Sequence, residues 1–139
     1  MPTRGLEALA QVPLFSHFSR GELRRLLAMT EEYEYPEGAV MTAEGDPGEA
    51  FFVMLEGQAA VIRRGRAVAQ LWPGDFFGEI SLLDGGPRTA TVKAVTPVRS
   101  MLLLGKEFRA LVATDGGLAT KLLRETASRL RRMDHPFRG

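Results

Sequence analysis

The chain has no cysteine, only two histidines and a single tryptophan among its 139 residues. Without thiols there can be no disulfide, no cysteine nucleophile and no thiolate-ligated zinc, and folding does not depend on redox compartment. His17 and His135 stand far apart, with no H-x-x-x-D or H-D pairing. That leaves too little ligand material for metal-assisted hydrolysis and no Ser-His-Asp arrangement. The chain is therefore read as a non-enzyme, with no catalytic residue and no metal. Long apolar runs are missing too: nothing approaches the length of a membrane span, and the N-terminus lacks the apolar core of a signal peptide. A soluble, cytoplasmic protein without membrane contact is expected. Neither sign of charge is in excess, since 18 Lys and Arg oppose 17 Asp and Glu. There is accordingly no overall electrostatic case for nucleic acid, and any anion chemistry must be local.

What is present is 45% hydrophobic and 25% charged, the size and composition of one globular domain over residues 1–139 with a buried core. Leu6, Leu9, Ala10, Leu14 and Phe15 suggest a short N-terminal helix broken at Pro13. Ser19, with Glu22 three residues later, forms a capping box, and Leu23, Leu26, Leu27 and Met29 give the following helix, about Arg20 to Glu31, an apolar face. From Tyr35-Pro36-Glu37-Gly38 onward the pattern changes to short β-branched or aromatic segments punctuated by glycine and proline. Strands are expected at 39–42, 50–55, 58–63, 67–71, 89–95 and 98–104. Arg63 to Arg66, around Gly65, reads as a solvated hairpin tip.

Helical periodicity returns after Gly105. Phe108, Leu111 and Val112 mark one helix ending near Asp115-Gly116-Gly117, and a longer one follows from about 118 to 133. Ala119, Leu123, Thr126, Leu130 and Met133 recur at intervals of 4, 3, 4 and 3, a seam suited to a partner helix or to the wall of the β-structure. The fold class is α+β: N-terminal helices, an antiparallel β-roll or jelly-roll-like barrel over about 36–104, and two C-terminal helices over about 105–133.

Phe77-Gly78-Glu79-Ile80-Ser81-Leu82-Leu83-Asp84-Gly85-Gly86-Pro87-Arg88-Thr89-Ala90-Thr91-Val92 least resembles ordinary core or loop. A glycine before a short apolar helical segment supplies unpaired backbone N–H groups, where a phosphate is favoured. The Gly-Gly-Pro turn brings Arg88 back toward the same anion. This run resembles the phosphate-binding cassette of the cyclic nucleotide-binding domain superfamily, whose pattern is F-G-E-[apolar]-[small]-L, a loop, then R-[small]-A-x-V. Leu14 to Leu26 is similar to the superfamily's N-terminal helical motif. Glu44-Gly45-Asp46 with Phe51 to Gly57, and Pro73-Gly74-Asp75-Phe76, are similar to its segments that approach the cassette. The resemblance covers Leu6 to Met133 and extends to the sensor domains of catabolite activator-type regulators, protein kinase regulatory subunits and cyclic nucleotide-gated channels.

The resemblance implies a ligand-sensing regulatory module for a 3′,5′-cyclic nucleotide, cyclic AMP first and cyclic GMP second. Its site residues would be Gly78, Glu79, Ile80, Ser81, Arg88, Thr89 and Ala90, with Val61 and Val68 beside the base. Backbone N–H groups of Ile80, Ser81 and Ala90 would meet the phosphate, and Gly78 would let the backbone approach. Arg88 would supply a forked permanent charge. Glu79 would accept from the ribose 2′-hydroxyl, and Thr89 would reach the base. The family closes the base with a residue from its last helix, and Arg131, Arg132, Met133 and Asp134 lie in that region without matching the lid. The partners implied are the cyclic nucleotide and a homodimer mate or partner domain on the helix at about 118–133. The alternative is a degenerate module of the same fold that binds no ligand and serves interaction or dimerisation. A DNA-binding regulator would need a helix-turn-helix domain, and none follows Met133-Asp134-His135-Pro136-Phe137.

Overall fold

The computed structural model describes residues 2–134, with side chains described for 5–132. Helix α1 (Pro2–Ala10) leads to a single 3₁₀ turn (Pro13–Phe15) and helix α2 (Arg20–Ala28). The break at Pro13 is the expected one. The capping box is also present: the Ser19 hydroxyl accepts from the Glu22 N–H at 3.1 Å, and the Glu22 carboxylate accepts from the Ser19 N–H at 2.8 Å.

Eight strands follow: β1 (Thr30–Tyr35), β2 (Val40–Thr42), β3 (Ala50–Glu56), β4 (Ala59–Arg63), β5 (Arg66–Leu71), β6 (Phe76–Phe77), β7 (Thr91–Ala94) and β8 (Val98–Leu104). Helix α3 (Glu79–Asp84) interrupts them, and α4 (Gly105–Thr114) and α5 (Gly116–Asp134) end the described chain. Two antiparallel sheets result, ordered β1-β8-β3-β6 and β2-β7-β4-β5. No helix among the described residues is long and apolar enough to cross a membrane.

Two boundaries differ from the sequence reading. Helix α2 stops at Ala28 instead of running to Glu31, and a strand expected by no part of the sequence pattern begins at Thr30. Met29 is the C-cap, and the Thr30 hydroxyl donates to the Leu27 carbonyl at 2.8 Å, which closes the last turn. Strand β1 is a sheet edge whose Glu31, Glu32, Tyr33 and Glu34 are all exposed. It therefore lacks the one-sided alternation by which a half-buried strand is recognised. The other difference is β6, two residues long and paired to β3 through Phe52↔Phe77 and Val53↔Phe76. The roll accordingly begins at Thr30 and not near residue 36.

The core has two compartments, set by the period-two geometry of β3 and β8. Phe51, Val53, Met101 and Leu103 face the helices, together with Leu9, Phe15, Leu26, Phe108, Leu118 and Leu122. Phe52, Met54, Val98 and Leu102 face the interior of the roll with Phe77, Val92 and Ala94. Both strands are buried on both faces over residues 50–54 and 101–103, which is why those stretches read as unbroken apolar runs. On α5 the expected seam is not what meets the core. Leu118 and Leu122 are buried, whereas Leu123 is 67% and Leu130 53% exposed. The wall of the roll is therefore not their partner, and the side chain of Met133 lies outside the described residues.

Phe108 stacks on Phe51 at 4.6 Å and is 2% exposed. Phe108→Ala is expected to cost about 3–5 kcal/mol, the range for removing a buried aromatic ring. Denaturant titration checks this, and a loss below about 1 kcal/mol would place Phe108 outside the cooperative core.

Candidate functional site

A cavity of about 790 Å³ opens between β4–β5, the α3 turn and the inner face of α5. All nine residues singled out from the sequence line it: Val61, Val68, Gly78, Glu79, Ile80, Ser81, Arg88, Thr89 and Ala90.

The floor is built around Gly78 and Arg88. Gly78 is the N-cap of α3 with φ +94°, in the left-handed region. A Cβ there would fall 2.7 Å from Arg88 Nη1 and 2.8 Å from the Ala50 carbonyl oxygen, so glycine is required both by conformation and by space. Arg88 is 7% exposed. It donates from Nη1 to the Gly78 carbonyl at 3.1 Å and from Nη2 to the Ala50 carbonyl at 2.7 Å, and its guanidinium lies 5.7 Å from the centre of the Phe52 ring. The chain reaches this position through a pinned turn. Gly85 caps α3, Asp84 accepts from the Gly86 N–H, and the backbone of Arg88 exchanges bonds with Asp46 and Gly45. Gly48 stands against the same group, where a Cβ would lie 2.5 Å from Ser81 Cβ and 3.1 Å from Arg88 Cζ.

Glu79 occupies the first turn of α3 and is 3% exposed. The Thr126 hydroxyl donates to its Oε2 at 3.3 Å, and Arg129 Nη1 is 3.8 Å away. Arg129 also approaches Glu125 at 3.5 Å and stacks on the Phe76 ring at 4.3 Å. The inner surface of α5 is therefore apolar at Leu118 and Leu122, then polar at Glu125, Thr126 and Arg129 where it passes over the cavity.

The family model of the cyclic nucleotide-binding domain matches residues 32–115. The chain belongs to the cyclic nucleotide-binding domain family. It is 31% identical over 134 residues to the CRP-like cAMP-activated global transcriptional regulator of Mycobacterium tuberculosis, covering 93% of this chain and 60% of that protein. It is 34% identical over 124 residues to a cyclic nucleotide-gated potassium channel of Mesorhizobium japonicum, covering 89% and 34%. The catabolite activator protein of Thermus thermophilus superposes with a TM-score of 0.79 at 32% identity, covering 90% of this chain and 61% of that one. The chain thus spans less than two thirds of the length of these relatives.

In this cyclic nucleotide-binding domain the two buried charges are held off balance. Burial pushes the Glu79 carboxyl above the usual carboxylate range, and it outweighs the opposing pull of Arg129, of the residue's own N–H, of Thr126 and of Arg88. Burial likewise lowers Arg88 below the ordinary guanidinium value, against the nearby Glu79 and Glu49. Each charge pays a desolvation cost that its neighbours do not fully repay.

The sequence pattern assigns no site role to Arg129, and it places Thr126 only in the packing seam. A signal was available, because 118, 122, 125 and 129 form a heptad-type row on one helix face. Its last two members are charged, so a search for apolar spacing ends at Leu122. Arg132 and Leu130 line the cavity, while His135 lies outside the described residues.

A carboxyl raised in the folded state binds its proton more tightly than in the unfolded chain. Its contribution to stability is therefore fullest below the ordinary carboxylate pKa and falls as pH rises through the raised value. The stability of the ligand-free protein relative to its Glu79→Gln variant should thus decline from pH 4 to pH 7.5. Paired thermal melts test the slope, and a flat or rising difference would contradict the burial argument.

Proposed function

We propose that the chain binds a 3′,5′-cyclic nucleotide and acts as a regulatory module that passes binding to its C-terminal helices, with residues 1–139 as one domain. The observation that carries this is the pair of buried, incompletely compensated charges, Arg88 and Glu79, facing one cavity on either side of a left-handed glycine. A cyclic phosphate supplies the anion that Arg88 lacks, and the backbone N–H groups of Ile80, Ser81 and Ala90 share it. The ribose 2′-hydroxyl donates to Glu79. Val61 and Val68 flank the base, and Thr89 meets its edge. Three or four charge-assisted bonds of roughly 1.5–3 kcal/mol each, with a buried base, reach the roughly 8 kcal/mol of micromolar binding.

Cyclic AMP is the ligand we favour, in keeping with the name of the cAMP-activated Mycobacterium tuberculosis regulator, and cyclic GMP is the second candidate through Thr89. No catalytic step is assigned, and the module is taken to work in the cytoplasm. The output follows from Glu79, which holds Thr126 and Arg129 of α5 on the same carboxylate that the ribose would use. A ligand shifts an equilibrium only through contacts that differ between its states, and competition for Glu79 is such a contact. The exposed stripe with Leu123 and Leu130 is the surface on which a second copy would pair.

Calorimetry tests the ligand assignment. Arg88→Ala should weaken cyclic AMP binding by about 2–4 kcal/mol, and the 2′-deoxy analogue should bind poorly because Glu79 is left desolvated and unpaired. An unchanged affinity in the variant would remove Arg88 from the site. Sedimentation tests pairing: the wild type should be dimeric and the Leu123→Glu, Leu130→Glu double variant monomeric, whereas a monomeric wild type with and without ligand excludes it.

A further inference from the structure

The β4–β5 wall of the cavity is irregular. Val61 pairs with Ala69 and Ile62 with Ala67, so Val68 is an extra residue with no partner on β4. Such a bulge re-aims the side chain it carries, and Val68 lines the cavity. Beyond the bulge little holds the hairpin. The pairing of β4 with β7 ends at Ile62↔Thr91, and the tip from Arg63 to Arg66 continues past it. Arg64 sits there in the left-handed region at φ +52°, which costs a residue with a Cβ free energy. One carboxylate reaches this tip from outside the hairpin. Glu44, in the loop between β2 and β3, accepts the Arg64 N–H on Oε1 at 2.9 Å, and its own N–H donates to the Thr91 hydroxyl at 2.9 Å. The residues after Glu44 are tied to the cassette: the Gly45 N–H donates to the Arg88 carbonyl at 2.9 Å, and the Arg88 N–H donates to the Asp46 carbonyl at 2.8 Å. Glu44 therefore bridges the segment that carries Arg88, Thr89 and Ala90 to the hairpin that carries Val61 and Val68.

We infer that Glu44 is a positioning residue for nucleotide binding: by holding the Arg64 N–H it fixes the bulge and so aims Val68 at the base. The inference rests on the proposed function and adds a residue to it. Glu44 is not among the described residues that line the cavity, so it acts on the ligand through the backbone it holds. Two properties separate this role from a general effect of charge near the hairpin arginines. A brace needs an acceptor oxygen at the right reach and does not need a negative charge. It also works through Val68, so removing the valine should remove most of what Glu44 contributes.

The test is calorimetry of the full chain with cyclic AMP. Glu44→Ala should weaken binding by about fivefold, the scale of one hydrogen bond. Glu44→Gln keeps an acceptor oxygen at the same reach and should bind as the wild type does. Glu44→Asp keeps the charge but is a methylene short, and it should bind like the alanine variant. The decisive measurement is the cycle with Val68→Ala. That substitution should weaken binding on its own, and the Glu44→Ala, Val68→Ala double variant should lose about fivefold, well short of the product of the two single losses. Melting curves establish that each variant folds. Unchanged affinity in Glu44→Ala or Val68→Ala, losses that multiply in the double variant, or binding retained by Glu44→Asp and lost in Glu44→Gln would overturn the inference while leaving cyclic nucleotide binding intact. Failure of the wild type to bind either cyclic AMP or cyclic GMP would overturn the proposed function, and this inference with it.

Discussion

The two hydrogen bonds from Arg88 to the carbonyls of Gly78 and Ala50 are the fixture on which the site depends. They join the start of α3 to β3, and they need a planar group with donors on two separate nitrogens, which lysine does not provide. Gly78 is shaped to this guanidinium, since a Cβ there would collide with it, and at Gly48 a Cβ would press tightly on it while colliding with Ser81. Both glycines are thus constrained around one side chain. The carbonyl dipoles stabilise the buried cation but bring no negative charge, and Glu79 and Glu49 act on it from nearby without forming an ion pair with it among the described residues.

Glu79 is the counterpart, a carboxylate kept out of water at a helix start. A buried pair that fully satisfied itself would leave nothing for a ligand to do. Here each group is steered by others: Arg88 by backbone carbonyls, Glu79 by Thr126 and Arg129. Burial disfavours the charged form of both groups, and hydrophobic burial elsewhere offsets that cost. Phe51, Phe108 and the apolar runs of β3 and β8 supply that burial on both sides of one sheet.

Much of this was legible in the residues. Capping at Ser19, the break at Pro13 and the glycine-punctuated strands depend on local chemistry, and local chemistry is written in short windows. The cassette was readable for the same reason, because Gly78 and Arg88 fall within one short window of the chain, ten residues apart. What stayed hidden depends on distant surroundings. Strand β1 could not be recognised because its charged residues face water on both sides, and β6 is too short to show a period. Arg129 reads as an ordinary solvated arginine until the fold sets Phe76 beneath it and Glu79 beside it. Its role comes from contact across the chain, which no spacing rule reports.

The division of α5 explains where a response to ligand would arise. Up to Leu122 the helix is anchored by buried leucines. Beyond that its hold on the roll is polar, through Thr126, Arg129 and Glu125, while Leu123 faces outward and Leu130 sits half-exposed at the cavity rim. Partly exposed ion pairs contribute roughly 0–1 kcal/mol each, whereas removing a buried leucine costs about 2–5 kcal/mol. Moving a two-state equilibrium from 1:99 to 99:1 takes about 5.5 kcal/mol of differential binding, within the roughly 8 kcal/mol of a micromolar ligand. Binding free energy on that scale suffices to re-seat the polar half of α5 without dislodging the leucine anchor. The signal would then leave through the helix and not through the roll.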